Sequence, residues 1–375
     1  MTNRQLVRHS PIALNHYRQQ MSLSVDLLAK KTSIPSKKIE SAKVENNVFT
    51  IKQLNKLADI LLVPVSYLTF DSVIIRELPK VIDFRNKYED ISGEDEEQSY
   101  QFQKVAQEAY IDRDNLLSIY ESLDENISTF GLNLLGSNAQ HDAQLIIDFL
   151  NLEEESLLES GSDYYKSWRT IVEKNDVIVL EKSNPSLSSE GMSLYYDKLP
   201  IIVILTTGQS PARRLFTLIH ELVHLGLKQS ALDGNLIYSN YTEEVYCNEV
   251  AGYVLVPSSI VYKYYSSNLS LSENILAIRK VTKASRPAVA IQLKQLGLVK
   301  QIELEDYLKS LQVESSGGFG VKKRHTTYNH FGKVYLQQVF SAIWKEELTI
   351  NSAMDLLRIP NRIEDLKYLE DKAFS

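Results

Sequence analysis

Two histidines four residues apart, His220 and His224, stand with Glu221 in the string Leu218-Ile219-His220-Glu221-Leu222-Val223-His224-Leu225. On an α-helix, residues i and i+4 lie on one face a turn apart, so both imidazoles can reach a single divalent ion. Glu221 points into the same cavity without aiming at the ion, where it can accept a proton from an activated water. A catalytic zinc centre needs a third protein ligand and an open coordination position. The chain has a single cysteine, Cys247, which excludes a multi-cysteine site and leaves histidine or carboxylate as the third ligand.

No third histidine follows at His-x-x-Gly-x-x-His spacing. The next acidic residues are Asp233, Glu243, Glu244 and Glu249. Glu244 is the best placed. Its helical face continues through Asn248, Ala251 and Gly252, and the small residues let that helix approach the histidine helix closely. Asn248, one turn on, is expected to bond a ligand imidazole from behind. The face through Glu243 continues with Cys247, Val250 and Val254 and reads as core, with Cys247 a buried structural thiol. The expected chemistry is hydrolysis of a peptide bond, with Glu221 as general base and then as proton donor to the leaving amine. Tyr238, Tyr241, Tyr246, Tyr253 and His325 are open candidates for stabilising the oxyanion. Ligand type points to one zinc ion, although manganese or iron could occupy the same donors.

These residues need elements to hold them. Ser210 and Pro211 have the character of an N-cap and a first helical residue, so the metal-binding helix should run from there to about Leu225, with Gly226 just past its end. Ile201 to Leu205 reads as a buried strand, with further strands at Val177–Leu180 and Met192–Tyr196. A second helix should span Thr242 to Leu255 and stop before Pro257. Upstream, residues 12–69 read as short helices with a tight turn at Ser33-Ile34-Pro35 between the second and third, a helix-turn-helix layout. Ser36 is a candidate N-cap for the third helix, and Thr50 for a fourth. The surface of that third helix offers Ser36, Lys37, Lys38, Ser41 and Lys43 to a groove or to phosphates. The charged stretch 87–97 reads as a linker. Long helices are expected over 99–125 and 141–159, short helices over 272–300, a flexible break at 315–320 and a last helical segment over roughly 333–358.

The resulting expectation is a mostly α fold with a small β-sheet. Its parts are a helix-turn-helix domain over 1–72, a linker and long helix over 73–140, and a zincin-like core over 141–268. A segment of short helices (269–312), which resembles the second helix-turn-helix-like part of certain metallopeptidases, and a helical C-terminal region (313–375) follow. Charge is unevenly spread. Residues 1–70 hold ten Lys/Arg and four Asp/Glu, so a chain of net charge −7 carries +6 at its head and −13 elsewhere. A basic module on an acidic body suits local contact with nucleic acid rather than coating of it. The sequence shows no apolar run of membrane-spanning length and no secretory signal, and with one cysteine it has no internal disulfide; a cytoplasmic setting is expected.

The strings Arg213 to His224 and Glu244 to Pro257 resemble the ImmA/IrrE family of metallopeptidases fused to an XRE-type helix-turn-helix. Gly191-Met192-Ser193, Asp83-Phe84-Arg85 and the segment Asn329 to Leu357 also look like features of that family. The resemblance implies a zinc site completed by Glu244, and regulated proteolysis of a DNA-bound repressor. One departure weakens the DNA-binding expectation. Ala42 and Lys43 stand where the third helix of XRE-type domains usually carries a bulky apolar residue followed by Glu, so residues 1–72 could dock DNA or a protein. Two other functions stay open: a DNA-binding transcriptional regulator with the peptidase fold as sensor or scaffold, and one half of a toxin–antitoxin module. The sequence leaves the oligomeric state open.

Overall fold

A computed structural model describes residues 5–74, 93–152, 164–187, 189–227, 240–311, 323–359 and 362–375. The architecture is mostly helical, with one two-stranded and one three-stranded sheet among the described residues. The chain divides into two compact units, Met1–Ile111 and Asp112–Ser375.

In the first unit, β1 (Leu6–Val7) pairs antiparallel with β2 (Phe49–Thr50), and short helices α1 (Pro11–Gln20), α2 (Val25–Thr32), α3 (Ser36–Ser41) and α4 (Ile51–Leu61) pack on one core. Leu14, Tyr17, Leu28, Ile39, Phe49, Leu54 and Leu57 fill that core. The helix starts are chemically encoded. Ser10 and Ser24 accept backbone N–H bonds, and Thr50 and Gln53 form a reciprocal capping box. Ser36 is not a cap: Pro35 occupies that place without a side-chain bond, and Ser36 is the first helical residue. The three-residue turn between α2 and α3 reverses through Ser33, at φ 57°.

The remaining elements are α5 (Gly93–Ser122), α6 (Ala139–Phe149), α7 (Tyr164–Glu173), β3 (Ile178–Lys182), β4 (Gly191–Leu194), β5 (Ile201–Leu205), α8 (Pro211–Gly226), α9 (Asn240–Leu255), α10 (Ser258–Tyr264), α11 (Leu271–Thr282), α12 (Arg286–Gln295), α13 (Gln301–Ser310), α14 (Lys323–Trp344), α15 (Ile350–Leu356) and α16 (Ile363–Phe374). The linker expected over 87–97 already belongs to α5 from Gly93. The helix expected over 141–159 ends at Phe149, and the break at 315–320 lies outside the described residues.

In the second unit β5 is central. It pairs parallel with β3 (Val179 opposite Ile202) and antiparallel with β4 (Ser193 opposite Ile202), so β4 is an edge strand. All five β5 residues are buried, as an unbroken aliphatic run requires. The apolar side of α8 (Leu215, Leu218, Ile219, Leu222, Val223) packs with Ile202 and Ile204 of β5 and with Val250, Ala251 and Val254 of α9. At roughly 1.5–3 kcal/mol per fully buried aliphatic side chain, this packing can offset the cost of placing polar groups on the same helix.

Gly226 differs from the expected C-cap. It is the last helical residue, and a Cβ there would lie 2.7 Å from Leu134 and 2.9 Å from Leu132. Close approach, rather than a left-handed turn, is what demands glycine. The C-terminal helical segment also departs from a single run. A joint at Gly332 (φ 78°, ψ 178°) breaks α14, and α15 and α16 are separate. Buried Arg169 and Glu173 of α7 hold the joint from opposite charge states. Arg169 donates to the carbonyls of Asn329 and His330, while Glu173 accepts from the Val334 N–H and pairs with Arg169 at 2.7 Å. A cation thus caps the end of one half-helix and an anion the start of the next, as their dipoles favour.

Gly332→Ala should therefore lower the unfolding free energy by on the order of 3 kcal/mol, because its backbone region is nearly glycine-only and its Cβ would run into Glu173 and Arg169. Urea denaturation checks this. Gly131→Ala, where a Cβ meets nothing within 4 Å, is the control and should be near neutral.

Candidate metal centre

Helix α8 begins at the Ser210 cap with Pro211 in its first turn, and its periodicity turns His220 and His224 to one side. The imidazole Nε2 atoms lie 3.1 Å apart. The Glu244 carboxylate reaches both from α9, with Oε2 3.2 Å from His220 Nε2 and Oε1 3.4 Å from His224 Nε2. Ligand atoms about 2.0–2.1 Å from a tetrahedral zinc stand roughly 3.3 Å from one another. The two imidazole nitrogens and the carboxylate, which meets each ring through a different oxygen, stand at about that spacing, and the donor set of two imidazoles and one carboxylate suits such an ion. Charge points the same way. Glu221, Glu243 and Glu244 crowd two imidazoles in a mostly buried place, an arrangement that calls for added positive charge.

His224 is buried, and its other nitrogen is also engaged. Nδ1 lies 3.3 Å from the Glu243 carboxylate and 3.7 Å from Cys247 Sγ. An Nδ1–H donated to Glu243 leaves the Nε2 lone pair free to bind an ion. Burial opposes a charged His224, but hydrogen bonds to Cys247, Glu243 and Glu244 outweigh it and raise its pKa well above the ordinary histidine value. Glu244 responds inversely. Burial pushes its carboxyl up, while His220 and His224 hold it far below the usual carboxylate range.

Glu221 lies on the sheet side of α8 and is 7 % exposed. Burial raises its pKa, against the pull of His224 and His220 and of a hydrogen bond donated by Ser193. Strand β4 explains its placement. Gly191 and Ser193 alternate onto one face, and a Cβ at Gly191 would lie 2.8 Å from Glu221 Oε1 and 2.7 Å from Thr217. The carboxylate sits where glycine makes room and serine supplies a donor.

The packing of α9 sets where Glu243 and Glu244 fall. Tyr246 donates its hydroxyl to Asp142 Oδ2 at 2.6 Å, and buried Asp142 also accepts from the backbone of Leu135 (3.0 Å) and Gly136 (2.8 Å). Tyr246 thus acts as a strut, and its hydroxyl is committed away from any oxyanion. His325 is likewise bonded to Tyr368, at 2.7 Å. Asp233 and Tyr238 lie outside the described residues, as does the side chain of Tyr241.

One site expectation departs from the structure. Asn248 is exposed, whereas Glu243, from the face that sequence reasoning assigned to core, lies against His224 Nδ1. The adjacent Glu243-Glu244 pair was the available signal, since neighbouring helical residues can grip a histidine from its two sides. Of the residues proposed for DNA contact, Lys37 and Lys43 are exposed and Ser36, Lys38 and Ser41 are half-buried. Lys38 bonds Gln53 at 2.8 Å, and Lys43 pairs with Glu40 at 2.8 Å.

Residues 175–294 match the family model of peptidase family M78, the IrrE N-terminal-like domain. The matched stretch contains β3, β4, β5, α8 and α9, and so every residue of the cluster. No curated protein and no solved structure gives a match. The domain points to a metallopeptidase-type function, and no helix among the described residues is long and apolar enough to cross a membrane.

Glu243→Ala should weaken zinc affinity by roughly 10–100-fold, measured by competition with a chromophoric chelator. Asn248→Ala should leave affinity unchanged.

Proposed function

We propose that this chain is a zinc-dependent endopeptidase that cuts a regulatory, repressor-type protein, with His220, His224 and Glu244 as metal ligands and Glu221 as general base. One observation carries the reading: two imidazole nitrogens 3.1 Å apart, each 3.2–3.4 Å from an oxygen of one carboxylate, with a second, buried carboxylate beside them on the histidine helix. A zinc ion on those side chains would supply Lewis acidity, polarising the scissile carbonyl and lowering the pKa of a water.

The chain's own residues do the rest. Glu221 takes the proton of the attacking water and returns it to the leaving amine nitrogen. Gly191 and Ser193 fix the Glu221 carboxylate, which removes rotational freedom the reaction would otherwise have to restrict. Glu243 selects the His224 tautomer that presents Nε2. The edge of β4 away from β5 can take an extended substrate segment as an added strand, which places a scissile carbonyl alongside Glu221. The repressor as substrate is supported by the likeness to ImmA/IrrE peptidases, and a cytoplasmic setting fits that role.

Residues 1–72 are read as the docking module. The α2–turn–α3 arrangement, within residues 1–70 of charge +6, also favours a second reading, in which this unit binds DNA through α3. In that case affinity for duplex DNA should fall steeply with salt, and Lys37→Ala with Lys43→Ala should flatten the slope. Salt-independent or absent binding would leave protein docking alone.

The peptidase reading predicts that Glu221→Gln keeps one zinc per chain while hydrolysis of the protein substrate, or of an unfolded test protein, falls by roughly 10²–10⁴-fold. Metal analysis and a cleavage assay on the same preparation check this. Undiminished cleavage would remove Glu221 from its assigned role.

A further inference from the structure

The outer nitrogen of His224 faces a second set of donors that the proposed reaction does not use as ligands. His224 Nδ1, Glu243 Oε1 and Cys247 Sγ lie within 4.8 Å of one another, with Nδ1 3.3 Å from the carboxylate oxygen and 3.7 Å from the sulfur. Around a tetrahedral ion with bonds of about 2.0 Å to nitrogen and about 2.3 Å to sulfur, nitrogen and sulfur stand roughly 3.5 Å apart. Glu243 and Cys247 are i and i+4 on α9, so one helix presents both to the same imidazole edge. The sulfur is fully buried, while Glu243 keeps 12 % of its side chain in solvent and is the open side of the set.

We propose that this set is a second metal position, specific for thiophilic divalent ions such as Cd²⁺, and that it excludes the first. Thiolate is the soft ligand absent from the His220–His224–Glu244 set, so softness sorts ions between the two. Exclusion follows from imidazole chemistry. A neutral ring has one lone pair and one N–H. An ion on Nδ1 takes the lone pair there, so Nε2 must carry the proton and no longer ligates. Starting from a neutral ring with its proton on Nδ1, binding releases the thiol proton to solvent while the ring proton is exchanged from Nδ1 to Nε2, so one proton is released per ion; a ring protonated at both nitrogens releases its Nδ1 proton as well and keeps the one on Nε2. A thiophilic ion would thereby disable the proposed peptidase site without touching His220 or Glu244. The exclusion rests on the proposed ligand role of Nε2; uptake on the thiolate does not.

The test is a Cd²⁺ titration of the metal-free full-length chain, following thiolate-to-cadmium charge-transfer absorbance in the ultraviolet. The wild type should develop the band at one ion per chain. His220→Ala, which cripples only the first position, should keep the band at the same Cd²⁺ concentration. Glu243→Ala and His224→Asn should each shift the midpoint upward by on the order of tenfold or more, with circular dichroism confirming that the variants fold. In zinc-loaded protein, the growing band should be matched by release of zinc. The proposal is overturned if no band appears, or if the midpoint is the same in Glu243→Ala and His224→Asn as in wild type, which would mean that Cys247 binds alone. Band growth with zinc fully retained would overturn the exclusion while leaving the second site standing.

Discussion

One buried imidazole carries the geometry of the centre. His224 has two nitrogens with different neighbours, Glu244 and His220 at one and Glu243 and Cys247 at the other. A neutral ring cannot serve both sides in the same way. In the proposed zinc site, an Nδ1–H donated to the Glu243 carboxylate leaves the Nε2 lone pair for the ion. Helix α9 supplies both carboxylates, so the relation between α8 and α9 is the variable that the rest of the second unit must hold fixed.

Several packing features serve that purpose. The aliphatic side of α8 is buried against β5 and against Val250, Ala251 and Val254 of α9. Asp142 ties α9 to the backbone at Leu135 and Gly136 through Tyr246. Gly226 lets the segment at Leu132 and Leu134 close over the end of α8. Polar groups are costly in such surroundings unless paired. Here every carboxylate of the cluster has a named partner: Ser193 for Glu221, His224 for Glu243, and both histidines for Glu244. The same logic governs the Arg169–Glu173–Glu181 network at the Gly332 joint, where buried charges are paired and also satisfy freed backbone groups.

Much of this was legible in the sequence, for physical reasons. The i, i+4 histidines, the Ser210-Pro211 start and the β-branched run at 201–205 are local signals, and each corresponds to the element expected. Glu244 could be singled out because helical periodicity relates it to small residues on one face. What was not legible depends on tertiary approach. Periodicity placed Glu243 on the core side, which is correct, but could not show that this core side contains an imidazole edge. Asn248 looked suitable by spacing yet faces solvent. Gly226 read as an ordinary cap residue, whereas it is set by a neighbouring leucine pair, and nothing local marked Gly332, which is set by a buried ion pair from a helix some 160 positions away. Gly191 and Ser193 were noticeable only by resemblance, because their common purpose, seating Glu221, appears once β4 lies across α8.

The central claim concerns the first coordination shell of one ion. X-ray absorption at the zinc edge, on full-length protein carrying one equivalent of zinc, tests it directly. The account predicts a shell of nitrogen and oxygen scatterers at about 2.0–2.1 Å, two of them imidazole, with no sulfur at about 2.3 Å, and loss of high-affinity zinc in Glu244→Ala. A sulfur scatterer in that shell, or zinc binding indifferent to both His220 and Glu244, would contradict it.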